Sequence, residues 1–343
     1  MRRAAGGGGH RRANAKRGRM VNVHMRHWLV VAALVAASFV YAQEYPRGPV
    51  RVIVASAAGS GTDTYTRKLL AQVSEQVGRP FVVDNVGGAG GIVGWGMAAK
   101  AVPDGYTLTV LDTGFAISAA WQKSLPYDPA RNFTPVTQTI RTPNVIVVIP
   151  SLRVSTLQDF IALARSNPGK YNFGSSGVGG SQHLYGELFK SAAKVDLVHI
   201  PYKGGADMYA GALAGDIQLV IAAVPAALPY IRNGQLRPLA VMTEGKQRVR
   251  SLPDVPTVSE AGLPDLVIYS WQGLAGPANM PPDVVDRVRA ESSKALAEPS
   301  LKHWFAAQDA ELVGGTPEEF AALIRSELRR WADVIKSAGI KAE

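Results

Sequence analysis

The chain has 343 residues, 47% of them hydrophobic, and a formal net charge of +10. Eight basic residues and no acidic one precede Gln43, so the remainder carries only +2, and its charge gives no support to a nucleic-acid binder. With no cysteine in the chain, neither disulfides nor thiolate metal sites are open to it.

Residues 1–19, rich in Gly, Ala and Arg, read as a disordered extension or as translation begun upstream of a true start at Met20 or Met25. From Met25 a basic start leads into an apolar run that ends in Val40-Tyr41-Ala42. The run is too short to span a bilayer comfortably, and small residues precede a polar start at Gln43. This pattern predicts a secretory signal peptide cleaved after Ala42 rather than a membrane anchor. No later apolar run approaches about 20 residues, so the processed chain is expected to be soluble.

Residues 50–54 (Val-Arg-Val-Ile-Val) form a β-branched run that predicts a buried strand. A loop of small residues, 55–61, leads from it into a helix over 62–77, which Gly78 stops. A strand at 80–84, a glycine loop at 87–91, a helix over 94–101 and a strand at 106–111 follow. The same alternation returns later, with strands expected at 145–149, 197–200, 219–222 and 239–242. Ser155-Thr156-Leu157-Gln158 has capping-box spacing before a helix that ends near Asn167-Pro168-Gly169. A second loop of small residues, 175–181, opens a helix over 182–193. Thr316-Pro317-Glu318-Glu319 combines a cap, Pro at the first helical position and Glu three residues after the cap. Phe320, Leu323, Ile324, Leu328, Trp331, Val334 and Ile335 then recur at helical spacing. Alternating strands and helices imply an α/β protein with a mostly parallel sheet covered by helices.

The loops at 55–61 and 175–181 both stand at strand-to-helix junctions. A helix N-terminus leaves backbone N–H groups unpaired at the positive end of its dipole, and small residues let a ligand approach them. A carboxylate could be held between the two loops without arginine; each loop alone reads equally as an ordinary tight turn. No loop has the spacing of a phosphate-binding motif. Gly174-Ser175-Ser176-Gly177-Val178 lacks the Gly-x-Ser-x-Gly pattern, and Ser176, His183 and Asp196 form a triad only by supposition. After the leader, the histidines are His183, His199 and His303, without zinc-ligand spacing.

These segments, in this order, resemble a known family. Tyr45-Pro46, Gly59 through Asp63, Asn85 through Gly91 and Pro103-Asp104-Gly105-Tyr106 carry the first part of the likeness. Leu125-Pro126-Tyr127-Asp128-Pro129, Tyr171 through Gly177, His183-Leu184 and Pro201-Tyr202-Lys203-Gly204 continue it, and Leu252 through Thr257 and Gly314 through Phe320 complete it. Over residues 45–343 the chain is similar to the Bug (TctC-like) extracytoplasmic solute receptors of tripartite tricarboxylate transport systems. The resemblance implies a periplasmic-binding-protein-like fold of type II, with two α/β lobes and a ligand cleft between them. It places residues 45–144 plus 270–343 in the first lobe and 145–269 in the second, after the leader 1–42.

The resemblance also implies a periplasmic, monomeric receptor, not an enzyme, that needs no cofactor. It would bind a small organic acid or amide by lobe closure and pass it to membrane transporter subunits encoded elsewhere. A sensor presenting its solute to a two-component kinase is an alternative, and an exported hydrolase a remoter one. Carried over by position, the ligand contacts are Ala57, Ala58, Gly59, Ser60 and Asp63, with Thr113 at the end of a strand. The second lobe contributes Ser175, Ser176, Gly177, Ser181, His183 and Tyr202. Asp63 reads equally as a helix cap, Ser175 and Ser181 as turn-satisfying groups, Tyr202 as packing, and His183 as orienting its loop. The chain departs from the family where Pro-Phe-Pro-Ala-Gly-Gly is replaced by Ala55-Ser56-Ala57-Ala58-Gly59-Ser60, and where Ala222-Ala223-Val224-Pro225 lacks Phe-Asp. Smaller side chains there imply room for a bulkier, less polar acid.

Overall fold

A computed structural model describes residues 45–339. The chain divides into Met1–Tyr45 and Pro46–Glu343, and every element below lies in the second unit. The expected signal peptide falls outside the described residues.

β1 (Val50–Val54) buries its valines and Ile53 and leads into α1 (Gly61–Val77). β2 (Phe81–Asn85), α2 (Ile92–Ala99), β3 (Thr107–Asp112) and α3 (Thr113–Trp121) continue the alternation. Thr113 therefore begins a helix instead of ending a strand, because Asp112 caps it by accepting from the Phe115 N–H at 3.1 Å. β4 (Phe133–Val148) is followed by α4 (Leu157–Arg165), β5 (Asn172–Ser175), α5 (Ser181–Ala193) and β6 (Val198–Pro201). α6 (Gly205–Ala214), β7 (Leu219–Ala223), α7 (Val224–Arg232) and β8 (Arg237–Val241) come next. β9 (Tyr269–Pro277), α8 (Pro282–Ala297), α9 (Pro299–Ala306), β10 (Glu311–Gly314) and α10 (Pro317–Ala338) close the chain.

Local signals place several of these ends. The Thr316–Glu319 capping box forms as its spacing predicts, and Gly78 and Gly339 close α1 and α10 in left-handed conformation. The box at α4 forms one residue later than expected. Thr156 accepts from the Asp159 N–H and Asp159 from the Thr156 N–H, so Ser155 and Gln158 are not its pair.

The strands run in the order β2-β1-β3-β9-β4-β7-β5-β6, with β10 and β8 also on β4. β1 pairs parallel with β2 and β3, and β5 pairs parallel with β6 and β7. β4 and β9 pair antiparallel with each of their neighbours, so the sheet is mixed, not mostly parallel. β4 changes partner along its length: Phe133 to Pro143 lies along β9, while Asn144 to Val148 lies along β7. Pro143, which has no N–H to give the ladder, stands at the change. Asn144, fully buried beside it, donates its amide to Ile268 O at 3.0 Å and accepts from Ser270 Oγ at 3.2 Å. β4 thus runs from one lobe into the other. α10 packs against α3, β4 and α5, with buried Trp331 beside Tyr185 at 5.6 Å between ring centres, so it braces both lobes.

Candidate functional site

The first loop of small residues is built around Asp63, which is 3% exposed. Ser60 caps α1 by accepting from the Asp63 N–H at 3.2 Å, and Asp63 Oδ2 accepts from the Gly59 N–H at 2.8 Å. Gly59 takes φ +80°, a left-handed conformation that a side chain would strain. Asp63 Oδ1 accepts from Arg67 Nε at 2.8 Å and Asn85 Nδ2 at 3.0 Å, and Asn85 also donates to Ser56 O. Burial pushes the Asp63 carboxyl upward, but the Gly59 N–H, the Asn85 amide and the Arg67 guanidinium outweigh it and hold it below its ordinary value. Both oxygens are thus spent inside the loop, in support of residues 57–60.

α1 and α3 meet at their starts. Thr62 Oγ1 donates to Asp112 Oδ2 at 3.1 Å while Asp112 Oδ1 caps α3. Loss of solvent raises the Asp112 carboxyl above its ordinary value, despite the hydrogen bonds that oppose this. Thr113 is buried, and its hydroxyl accepts from the Trp271 N–H at 2.9 Å, which ties α3 to β9.

The second loop rests on a histidine pair. The rings of His183 and His199 stack with centres 3.8 Å apart. Ser175 is fully buried; it gives its hydroxyl proton to Gly177 O at 2.8 Å and meets His199 Nε2 at 2.7 Å. His199 is then the donor of that second bond. His183 Nδ1 accepts from the Gly179 N–H at 3.1 Å, and the Ser176 N–H goes to Gln182 Oε1 at 2.9 Å. Burial lowers both imidazoles to about 4, with Lys190 acting in the same direction on each and His183 also on His199, so the pair is neutral near pH 7. His183 orients its loop. Among the described residues, neither Ser176 nor Asp196 is hydrogen-bonded to it, and in the Ser175–His199 contact the serine is fully buried and the imidazole half-buried.

Ser181 opens α5, whose preceding Gly180 offers no side-chain cap. Gly179 lies against the ring of Trp121, at the far end of α3 from Asp112. The two loops are therefore anchored at opposite ends of one helix about 13 Å long. Tyr202 donates its N–H to Ser175 O, but its ring lies across Gly211 of α6 within its own lobe.

Between the lobes is a cavity of about 420 Å³; Gly61, Ala223 and Pro225, from segments singled out in the sequence, line it, and none of the twelve expected ligand contacts does. Gly61, Thr62 and Tyr65 of α1 face Ala223, Pro225 and Ala226 at the start of α7. Ile140 and Thr142 of β4, with Ser270, Trp271 and Gln272 of β9, complete it where the lobes join. Tyr65 and Thr142 stand together in this lining. Like α1, α7 turns its N-terminus to the cavity, and Ala223 gives it no side-chain cap. Pro225 in its first turn was the one local hint of a helix start there. Nothing near Tyr65 or residues 270–272 marks them in sequence, since the cavity joins segments more than 200 residues apart.

A wider groove of about 800 Å³ lies between residues 243–250 and the α8–β10 region, lined by Arg248, Arg250, Lys302, Asp309 and Glu311 among others. It meets the last turn of α8, where Leu296 and Ala297 stand at the carbonyl end of the helix dipole, unfavourable for an anion. Among the described residues, no group of three or more His, Asp or Glu is placed to hold a metal ion, and no helix is long and apolar enough to cross a membrane.

Comparison with known proteins agrees with this geometry. A family model described as tripartite tricarboxylate transporter family receptor matches residues 65–340. Protein BugT of Bordetella pertussis is 32% identical over 315 residues, covering 91% of this chain and 96% of its own. A solved periplasmic transporter is 40% identical with TM-score 0.77, covering 87% of this chain and all of that one. An R. palustris protein solved with adipate is 34% identical with TM-score 0.77, covering 87% of this chain and 99% of its own.

Proposed function

Since the chain belongs to the tripartite tricarboxylate transporter receptor family, we propose that it captures a small organic acid in the cavity between its lobes and delivers it to a membrane transporter. The observation that carries this reading is the cavity itself, bounded on one side by the start of α1 and on the other by the start of α7. Unpaired N–H groups at those two ends supply partial positive charge to a carboxylate, and each belongs to a different lobe. A bound acid gains contacts from both only when the lobes are together, so differential affinity favours the closed state. No covalent step is involved.

The lobes divide as residues 45–144 plus 270–343 and 145–269, in keeping with the change of partner along β4 at Pro143 and Asn144. The backbone of residues 57–60, shaped by Asp63, and that of 175–177 and Ser181, shaped by His183, form the outer contacts of the cleft. Thr113 holds α3 to β9, and Tyr202 supports the second loop from behind. Residues 25–42 direct export and are removed after Ala42, which suits a periplasmic receptor. The protein acts as a monomer, without a cofactor.

A thermal-shift panel of organic acids and amides tests the reading. A solute that binds only the folded state adds about 2.7 kcal/mol of stability at one hundred times its dissociation constant. A rise in melting temperature with at least one carboxylate is expected. If none shifts it, and native mass spectrometry finds no acid retained from expression, the receptor reading fails.

A further inference from the structure

We infer that the solute carries a single carboxylate, and that the rest of it is uncharged and up to the size of a substituted ring. This deepens the receptor reading and rests on it. The cavity lining supplies the first reason: no Lys, Arg, His, Asp or Glu is in it. Its polar groups are the hydroxyls of Thr62, Tyr65, Thr142 and Ser270 and the amide of Gln272, set among Ile140, Pro225, Ala226 and Trp271. Hydroxyl, ether or carbonyl groups on an apolar body match such walls. A second carboxylate would lose its water without gaining a cation.

The surroundings supply the second reason. The nearest guanidinium to the first loop, Arg67, is committed to Asp63 and Asn85. Lys190, under the second loop, is paired with Glu187 at 3.0 Å. Behind the lobe-1 wall stands Asp112, which takes the Thr62 hydroxyl proton and has no cation among its hydrogen-bond partners. Thr62 therefore has its hydroxyl proton engaged and presents only oxygen lone pairs to whatever lies against it. The helix starts can hold one anionic head, and the remaining wall disfavours another. At about 420 Å³ the cavity is within the range of small-molecule sites and exceeds the needs of a short-chain acid.

Side chains from α7 make the inference adjustable. Ala226 stands in the lining with only a methyl group. Ala226→Lys would bring an ammonium into the cavity, and Ala226→Phe would fill part of it.

Matched acids measured by isothermal titration calorimetry test this: benzoate against terephthalate, and hexanoate against adipate. The monoacid of each pair should bind at least tenfold more tightly to the native protein. Ala226→Lys should move the hexanoate-to-adipate preference at least tenfold toward adipate, and Ala226→Phe should weaken benzoate at least tenfold more than it weakens acetate. Equal or tighter binding of the diacid in either pair overturns the inference and leaves the receptor reading intact. Failure of every carboxylate, acetate included, to bind the folded protein would overturn both. The comparison on native protein decides the matter even where a variant does not fold.

Discussion

Asp63→Asn separates a carboxylate that builds the binding loop from one that touches solute. Asp63 accepts from the Gly59 N–H at 2.8 Å, Arg67 Nε at 2.8 Å and Asn85 Nδ2 at 3.0 Å. An asparagine keeps one acceptor oxygen and turns an amide N–H toward a group that also donates. Leaving one buried donor unpaired costs about 1–3 kcal/mol. Arg67 is half exposed, so loss of that ion pair adds only about 0–1 kcal/mol. The sum, about 1–4 kcal/mol, corresponds to roughly 2–6 °C in melting temperature for a chain of this size. Urea titration without ligand should show it. The folded carboxyl lies below its unfolded value, so its contribution is present above about pH 4 and is lost as pH falls through the folded pKa. The gap between native protein and variant should therefore narrow in acid. A variant as stable as the native protein without ligand, yet unable to bind acids, would refute the scaffold role and make Asp63 a solute contact.

Two other perturbations reach the second loop. Gly179→Ala should cost about 2–4 kcal/mol, because a Cβ there overlaps the Trp121 ring and the backbone sits at φ +73°. In a Trp121→Ala background only the backbone part, about 1–2 kcal/mol, should remain; equal costs in both backgrounds, measured by urea titration, would dismiss the interlobe contact. The His183–His199 pair is neutral when folded, with both values lowered to about 4 from 6.5. The unfolded chain then binds more protons between those limits, so this stability is present above about pH 6.5 and falls away toward pH 4, by at most a few kcal/mol for the pair. Glu187 and Lys190 face the pair and modulate the slope. A urea midpoint that does not fall between pH 6.5 and 4.5, or falls equally in His199→Gln, would contradict this.

Local chemistry made much of the chain legible. The box at Thr316 and Glu319, Pro317 and the apolar stripe from Phe320 to Ile335 are short-range signals, and α10 forms where they place it. Val50 to Val54 can satisfy its side chains only by burial, so its strand follows from its composition. The two loops of small residues likewise stand where strands hand over to helices. The Asp63 and His183 networks were legible only as candidate residues. Their roles depend on Asn85, Arg67 and His199, which the fold brings from other segments.

Tertiary structure alone decided β4 and the cavity. Residues 133–144 include Pro135, Pro143 and a run of Thr, Gln and Asn, a composition that resembles a loop. They form a buried strand because distant groups satisfy them: Thr139 Oγ1 donates to Gln272 O, Thr137 Oγ1 to Gly315 O, and the Asn144 amide to Ile268 O. Burial of such groups is tolerated only when those partners arrive. The same convergence sets Tyr65, Thr142, Ala226 and Gln272 around one cavity. Sequence determined where β1, α1, α5 and α10 begin, because caps and apolar periods act over a few residues. The cavity's walls, and the charge absent from them, were decided by the fold, because contacts across about 200 residues leave no local trace.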